Sequence, residues 1–274
     1  MGIRLLLPDG AGFSAALGSR AVDAAAAAGS VLLVDFSRAD CVTSESAALT
    51  PTNLVAGPAE VLVGAPVPGT DVAVDASAGR ITPGGGLLVR SGINNEVEMG
   101  LALHDHFLAT QHDVAVSFWL RSYLADAVGP AQTTANHRVL NWGTTPSAAA
   151  FVYQYQAVNG QPFPDTVTGY NAALAQPGLD VLATDTGLHH VVVSSTAAYL
   201  DGVLVATQAK EAWPDFDKGI EVGQTFNDAS LPADVMALYR VHVEDLTASG
   251  RTVADHVAAE RALVTRYHPM ISAE

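Results

Sequence analysis

The sequence predicts an all-β sandwich carrying one C-terminal α-helix. Three observations predict it. From residue 31 onward, short runs rich in Val, Phe, Tyr and Trp recur between clusters of Gly, Pro, Asn and Asp. No helical pattern separates these runs, which argues for packed sheets rather than βαβ units. Within Tyr199–Leu204, Asp201-Gly202 supplies the two positive-φ residues of a type I′ turn, whose twist suits a tight hairpin.

Residues 1–30 are rich in small residues without sustained periodicity, and they read as an N-terminal arm. Val31–Phe36 is a continuous apolar run of the kind buried on both faces of a sheet. Between it and Pro83, prolines and glycines leave room only for short strands such as Glu60–Val63 and Asp71–Val74. Pro83-Gly84-Gly85-Gly86 reads as a turn or a flexible link. The strands predicted after it are Leu87–Arg90, Glu96–Leu101, Val114–Leu120, Arg138–Trp142, Phe151–Gln156, His189–Ser194, Ala198–Val205, Gly219–Val222 and Met236–Val243. Thr252-Val253-Ala254-Asp255 then resembles a capping box with Asp at its last position. Val253, Val257, Val264 and Tyr267 follow at helical spacing until Pro269. The organisation expected is an arm over 1–30, a sandwich over 31–248, and a helix with its tail over 249–274.

Composition excludes several classes. Of 274 residues, 49% are hydrophobic and only 15% charged, which excludes a disordered chain. The formal net charge of -15 is spread over both halves and repels phosphate backbones, so no nucleic-acid partner is expected. Cys41 is the one cysteine, which rules out an intrachain disulfide and a thiolate-rich zinc site. Met1–Leu7 resembles the start of a signal peptide, but Pro8-Asp9-Gly10 ends its apolar run short of the roughly 7–15 residues of a secretory core, so no signal peptide is expected. No apolar stretch approaches the ~20 residues of a membrane span, so no membrane insertion is expected.

Four segments, in order, resemble the concanavalin A-like jelly roll in its laminin-G-like branch. They are Asp113–Leu120 ("DVAVSFWL"), Gly187–Val193 ("GLHHVVV"), Tyr199–Leu204 ("YLDGVL"), and Ile220–Gly223 with Ala237–Val243 ("IEVG" and "ALYRVHV"). Leu188 stands where the family more often has Trp, and residues 250–255 look like an insertion. The resemblance spans residues 85–265. It implies a jelly roll of a group that includes lectins, carbohydrate-binding modules, some glycosidases, adhesion domains and bacteriophage virion proteins. A short chain without a secretory core looks most like the virion members. The function expected from the resemblance is therefore a non-enzymatic structural or adhesion protein of a virion, with homo-oligomeric and virion-protein partners. Its rivals are a lectin-like module for cell-surface glycans, located outside the cell or in the cytoplasm, and a glycosidase.

Candidate chemistry is sparse. Glu96 and Glu98 share a strand face, but Gly100 and Leu101 follow where a glycosidase strand would place its acid, so no catalytic residue is assigned. His104 and His106, on one strand face with His112 and Asp113 nearby, would gather metal ligands, yet they fit no helical zinc motif and read as loop histidines. No metal ligand is assigned. Of His189 and His190, one is expected to face the core and the other solvent. Calcium, bound in many lectin-like relatives by loop carboxylates and amides, would draw on Asp126, Asn136, Asn171, Asp180, Asp185, Asn227 or Asp228, all in expected loops. Among aromatic residues suited to sugar stacking, Trp119 and Trp142 are expected in the core, and Tyr153, Tyr155 and Tyr170 are further candidates. Trp213, in the loop Ala212–Phe216, is the binding candidate, as a stacking platform or an assembly contact. Ser194 and Ser195 lack the elbow of a serine hydrolase.

Overall fold

A computed structural model describes residues 23–45, 48–70, 74–75, 80–82, 84–90, 97–122, 134–143, 149–158, 161–169, 172–174, 187–207, 209–210, 212–213, 215, 219–226 and 234–267. The protein is mostly β-sheet, and every strand pair among these residues is antiparallel.

The longest strand, β17 (Asp234–Asp245), organises the larger sheet. One edge of β17 pairs with β8 (Val114–Ser122). The other carries β6 (Leu87–Arg90) on its first half and β1 (Ser30–Asp35) on its second. Beyond β8 lie β13 (Leu188–Ser194), β14 (Ala197–Leu200) and β15 (Val203–Thr207), and beyond β6 lies β5 (Arg80–Ile81). A second sheet runs β12 (Ala172–Leu174), β11 (Gln161–Gly169), β10 (Ala149–Val158), β9 (Thr134–Gly143), β16 (Ile220–Phe226) and β7 (Val97–Met99). A small sheet joins β2 (Val42–Glu45), β3 (Ala48–Pro51) and β4 (Val74–Asp75).

One apolar core joins the two large sheets. Val116, Phe118, Val191, Leu238 and Val241 from the first meet Val97, Met99, Trp142 and Ile220 from the second. Alternation along β17 puts Leu238, Val241 and Val243 into this core. A register shift between Leu238 and Arg240 turns both Tyr239 and Arg240 to the opposite face, followed by His242 and Glu244. That outer face is covered by α4 (Val253–Tyr267), which buries Val257, Leu263 and Val264. The helix begins as a reciprocal cap: Asp255 N–H donates to Thr252 Oγ1, and Thr252 N–H donates to Asp255 Oδ2.

Two segments expected as strands are helical. Glu60–Val63 belongs to α1 (Ala56–Val63), and the region after Met99 forms α2 (Leu101–Thr110) instead of continuing a strand to Leu101. Gly100 at φ 69° breaks the strand, and Leu103 and Phe107, one helical turn apart, are both buried. Gln111 at φ 55° ends the helix, its N–H donating to the Phe107 carbonyl.

Of the expected arm, residues 23–30 lie among those described, and they are held on the same chain. Asp23 pairs with Arg240, and the Ala25 carbonyl accepts from Arg251. Asp201 at φ 52° and Gly202 at φ 85° form the expected tight hairpin between β14 and β15.

Candidate functional site

Two connections meet beside the core and are stitched to each other. The first, Gln111-His112-Asp113, links α2 to β8. The second links β17 to α3 (Leu246–Ser249), whose N-cap is Asp245. Leu246 N–H donates to the Asp113 carbonyl at 2.8 Å, and Asp113 N–H donates to Thr247 Oγ1 at 2.9 Å. Asp245 Oδ1 accepts the Ala248 N–H at 2.8 Å. Its other oxygen, Oδ2, lies 2.8 Å from His106 Nε2 and 2.7 Å from His112 Nδ1. Burial pushes the Asp245 carboxyl up, but the hydrogen bonds from His106, the Ala248 N–H and His112 outweigh it and hold the group below its ordinary value.

A groove opens on each side of this junction. The first, of about 410 Å³, is bordered by Asp113, Tyr199, Thr247, Arg251 and Thr252. Tyr199 is half-buried. Asp113 is paired with Lys210 at 2.8 Å and accepts from Ser195 Oγ at 3.2 Å. Arg251 is steadied by the Ala25 carbonyl at 2.9 Å and Glu244 at 3.5 Å. This groove offers a planar ring, a guanidinium, a carboxylate and hydroxyls. The second, of about 480 Å³, lies between the end of α1 and the face of α2, where Leu62, Val63 and Asp105 join His106 and His112.

Beneath α4 runs a buried polar network that joins the helix to β17 and to Asp23 and Ser30. Arg240 binds both oxygens of Glu260, at 2.8 and 2.9 Å, and both oxygens of Asp23, at 2.8 and 2.9 Å. Glu260 Oε1 is also 2.7 Å from His242, whose other ring nitrogen is 2.8 Å from Ser30 Oγ. Burial opposes charge on both Arg240 and Glu260. Their attraction, with Asp23 beside Arg240 and His242 beside Glu260, raises the Arg240 value and holds Glu260 well below the usual carboxylate range. His256 Nδ1 lies 2.6 Å from Glu244.

The residues singled out in the sequence are distributed unevenly. Trp213 lies in a loop as expected but is only 4% exposed, so it is no exposed platform. Its indole packs between Phe107 and Trp142, and its Nε1–H donates to His104 at 3.1 Å. Trp119 and Trp142 are buried in strands, as read. His104 and His106 do not share a strand face: α2 turns His104 to Trp213 and His106 to Asp245. His189 and His190 are both buried, because α4 covers the outward face, where His190 stacks on Trp119 at 4.4 Å. Cys41 is buried, and burial pushes its thiol up to about 11. Ser194 Oγ donates to the Ala197 carbonyl. Glu98 pairs with Glu221 between β7 and β16, and Glu96 lies outside the described residues. Of the calcium candidates only Asn136 is described, in β9 rather than a loop. Tyr153 and Tyr155 fall in β10, and Tyr170 lies outside the described residues.

Sequence reasoning missed Asp245, Tyr199 and Arg251 as site residues. The one available signal was Asp245 before Leu246-Thr247, an Asp N-cap at the end of a strand.

No family model matches the chain, and no curated protein does. Among solved structures, a Trypanosoma rangeli sialidase in complex with the inhibitor DANA is 12% identical with a TM-score of 0.50, over 88% of this chain and 33% of that one. The botulinum neurotoxin serotype D/C binding domain is 11% identical with a TM-score of 0.46, over 86% and 52%. The same toxin binding domain in complex with SialylT is 10% identical at 0.46, over 86% and 52%. The chain thus spans about a third to a half of the length of these structures, and the sialidase likeness is one of fold alone.

Proposed function

We propose that this chain is a non-enzymatic carbohydrate-binding module built on a concanavalin A-like, laminin-G-like jelly roll. Support for the jelly roll comes from two antiparallel sheets sharing one core, with the Asp-Gly hairpin at the expected place. The binding reading is carried by the groove at the β8–α3 junction. Tyr199 gives a sugar ring a flat apolar partner, and Arg251, Asp113, Thr247 and Thr252 supply donors and acceptors for its hydroxyls. That lining holds one carboxylate, Asp113, already paired with Lys210, whereas ordinary glycosidases work with two. That lining supports binding over cleavage.

A second reading, an oligomeric assembly block such as a bacteriophage virion component, is favoured by the edge strand β15. There Val203 and Leu204 are 65% and 49% exposed on a strand with one unpaired side among the described residues.

Glycan-array binding of the purified chain, with calcium and again with chelator, tests the first reading. Saturable binding to a defined sugar class is expected. A blank array with a defined oligomer in solution would replace it with the second.

A further inference from the structure

We propose that His106 Nε2, His112 Nδ1 and Asp245 Oδ2 form a binding site for a divalent transition-metal ion of the zinc class, with an open coordination position on the side bordering the α1–α2 groove. This inference does not rest on carbohydrate binding, which uses the other groove.

The three donor atoms lie within 4.8 Å of one another. Bonds of about 2.0–2.2 Å in a tetrahedral site put neighbouring donors roughly 3.3 Å apart. The present spacings of 2.7 and 2.8 Å therefore need to open by only about half an ångström to admit an ion. His112 gives most easily, because its side chain is 32% exposed and it lies on the short connection after Gln111. Asp245 and His106 are the fixed partners, with side chains 0% and 6% exposed. The Ala248 N–H holds Asp245 Oδ1 and so aims Oδ2 at the imidazoles, the outer-shell support a metal carboxylate needs.

Donor chemistry selects the ion. Two imidazoles and one carboxylate suit zinc and its neighbours, whereas calcium and magnesium take oxygen ligands. Each imidazole would bind through the nitrogen that now faces Asp245, its proton moving to the other ring nitrogen or to solvent. Three protein ligands leave one tetrahedral position, and His106 and His112 border a groove of about 480 Å³ wide enough for water or a small anion. The chain's charge of -15 draws cations towards it.

A second cluster, His242, Glu244 and His256, also brings three ligand atoms together. It is wholly buried, and both His242 nitrogens are already engaged by Ser30 and Glu260. It serves the network beneath α4.

The test is calorimetric titration of the tag-free, chelator-stripped chain with zinc chloride, with cobalt(II) absorption as a second readout. One ion per chain is expected, with visible cobalt bands of a tetrahedral site. His112→Ala should lower zinc affinity by at least about 10–100-fold and abolish those bands. Asp245→Asn, which keeps an acceptor for the Ala248 N–H, should do the same. His112→Gln covers the case in which His112→Ala loses its fold by circular dichroism. Absence of saturable zinc binding, or zinc affinity unchanged in folded His112 and Asp245 variants, would overturn the proposal and leave Asp245 as a hydrogen-bond anchor alone.

Discussion

Arg240 and Glu260 form a two-pronged ion pair with no exposed side-chain surface, Nε to Oε2 at 2.8 Å and Nη2 to Oε1 at 2.9 Å. Arg240 comes from β17 and Glu260 from α4, so the pair locks the C-terminal helix to the central strand. Glu260→Gln is expected to destabilise the fold by about 3–5 kcal/mol, the usual cost of breaking a buried pair. Arg240→Met should cost more, because Asp23, Asp35 and Glu260 all point at its guanidinium. Urea denaturation of both variants checks the order.

Acid should unfold the protein early, and His190 is one reason. Burial pushes its imidazole down from 6.5 to about 3. The unfolded chain takes up this proton near pH 6.5, whereas the folded chain resists it until about pH 3. Stability is therefore lost as pH falls through that window, by up to about 1.4 kcal/mol per unit. Glu260 and Glu244, held low in the fold, add the same sign only as pH falls below about 4.5. His190→Phe keeps a ring against Trp119, and it should flatten the stability profile between pH 6.5 and 4.5. A profile with an unchanged slope would mean that another group takes the proton.

Two glycines make an ordered pair of predictions. A Cβ on Gly29 would collide with the Asp245 carbonyl oxygen and stand 2.8 Å from Ser249 N, both backbone atoms. Gly29→Ala should cost about 3 kcal/mol and disturb the α3 junction. At Gly202 the clash is with the Arg261 side chain, which can move, so Gly202→Ala should cost only the left-handed strain of about 1–2 kcal/mol. Thermal or urea unfolding should rank them in that order.

Strand positions were readable because their residues obey local rules. Leu87–Arg90 is predicted and found with the same ends, and the Asp201-Gly202 turn follows from its own two residues. The helices α1 and α2 were not, since each is short and only Gly100 marks a break before α2. The candidate site was still less legible. His106 and His112 stood out, but their partner Asp245 is 133 positions beyond His112. It arrives only through the pairing of β8 with β17. The same non-local step hid Arg240, His242 and Glu244, polar residues buried because α4 lies over them, and Glu260, which α4 turns onto them.

The groove reading predicts which substitutions matter. Tyr199→Ala and Arg251→Ala should each weaken carbohydrate binding by about 10-fold or more, as expected when a buried stacking surface or a charged hydrogen bond is lost. Glu60→Gln, exposed on α1 and away from both grooves, should leave it unchanged.

The most direct measurement is an equilibrium titration of the strongest array glycan against the wild-type chain and the folded Tyr199→Ala variant. Carbohydrate binding at the β8–α3 groove predicts saturation of one site on the wild type and its loss in the variant. Equal binding by both chains, or no saturable binding to the wild type, would contradict it.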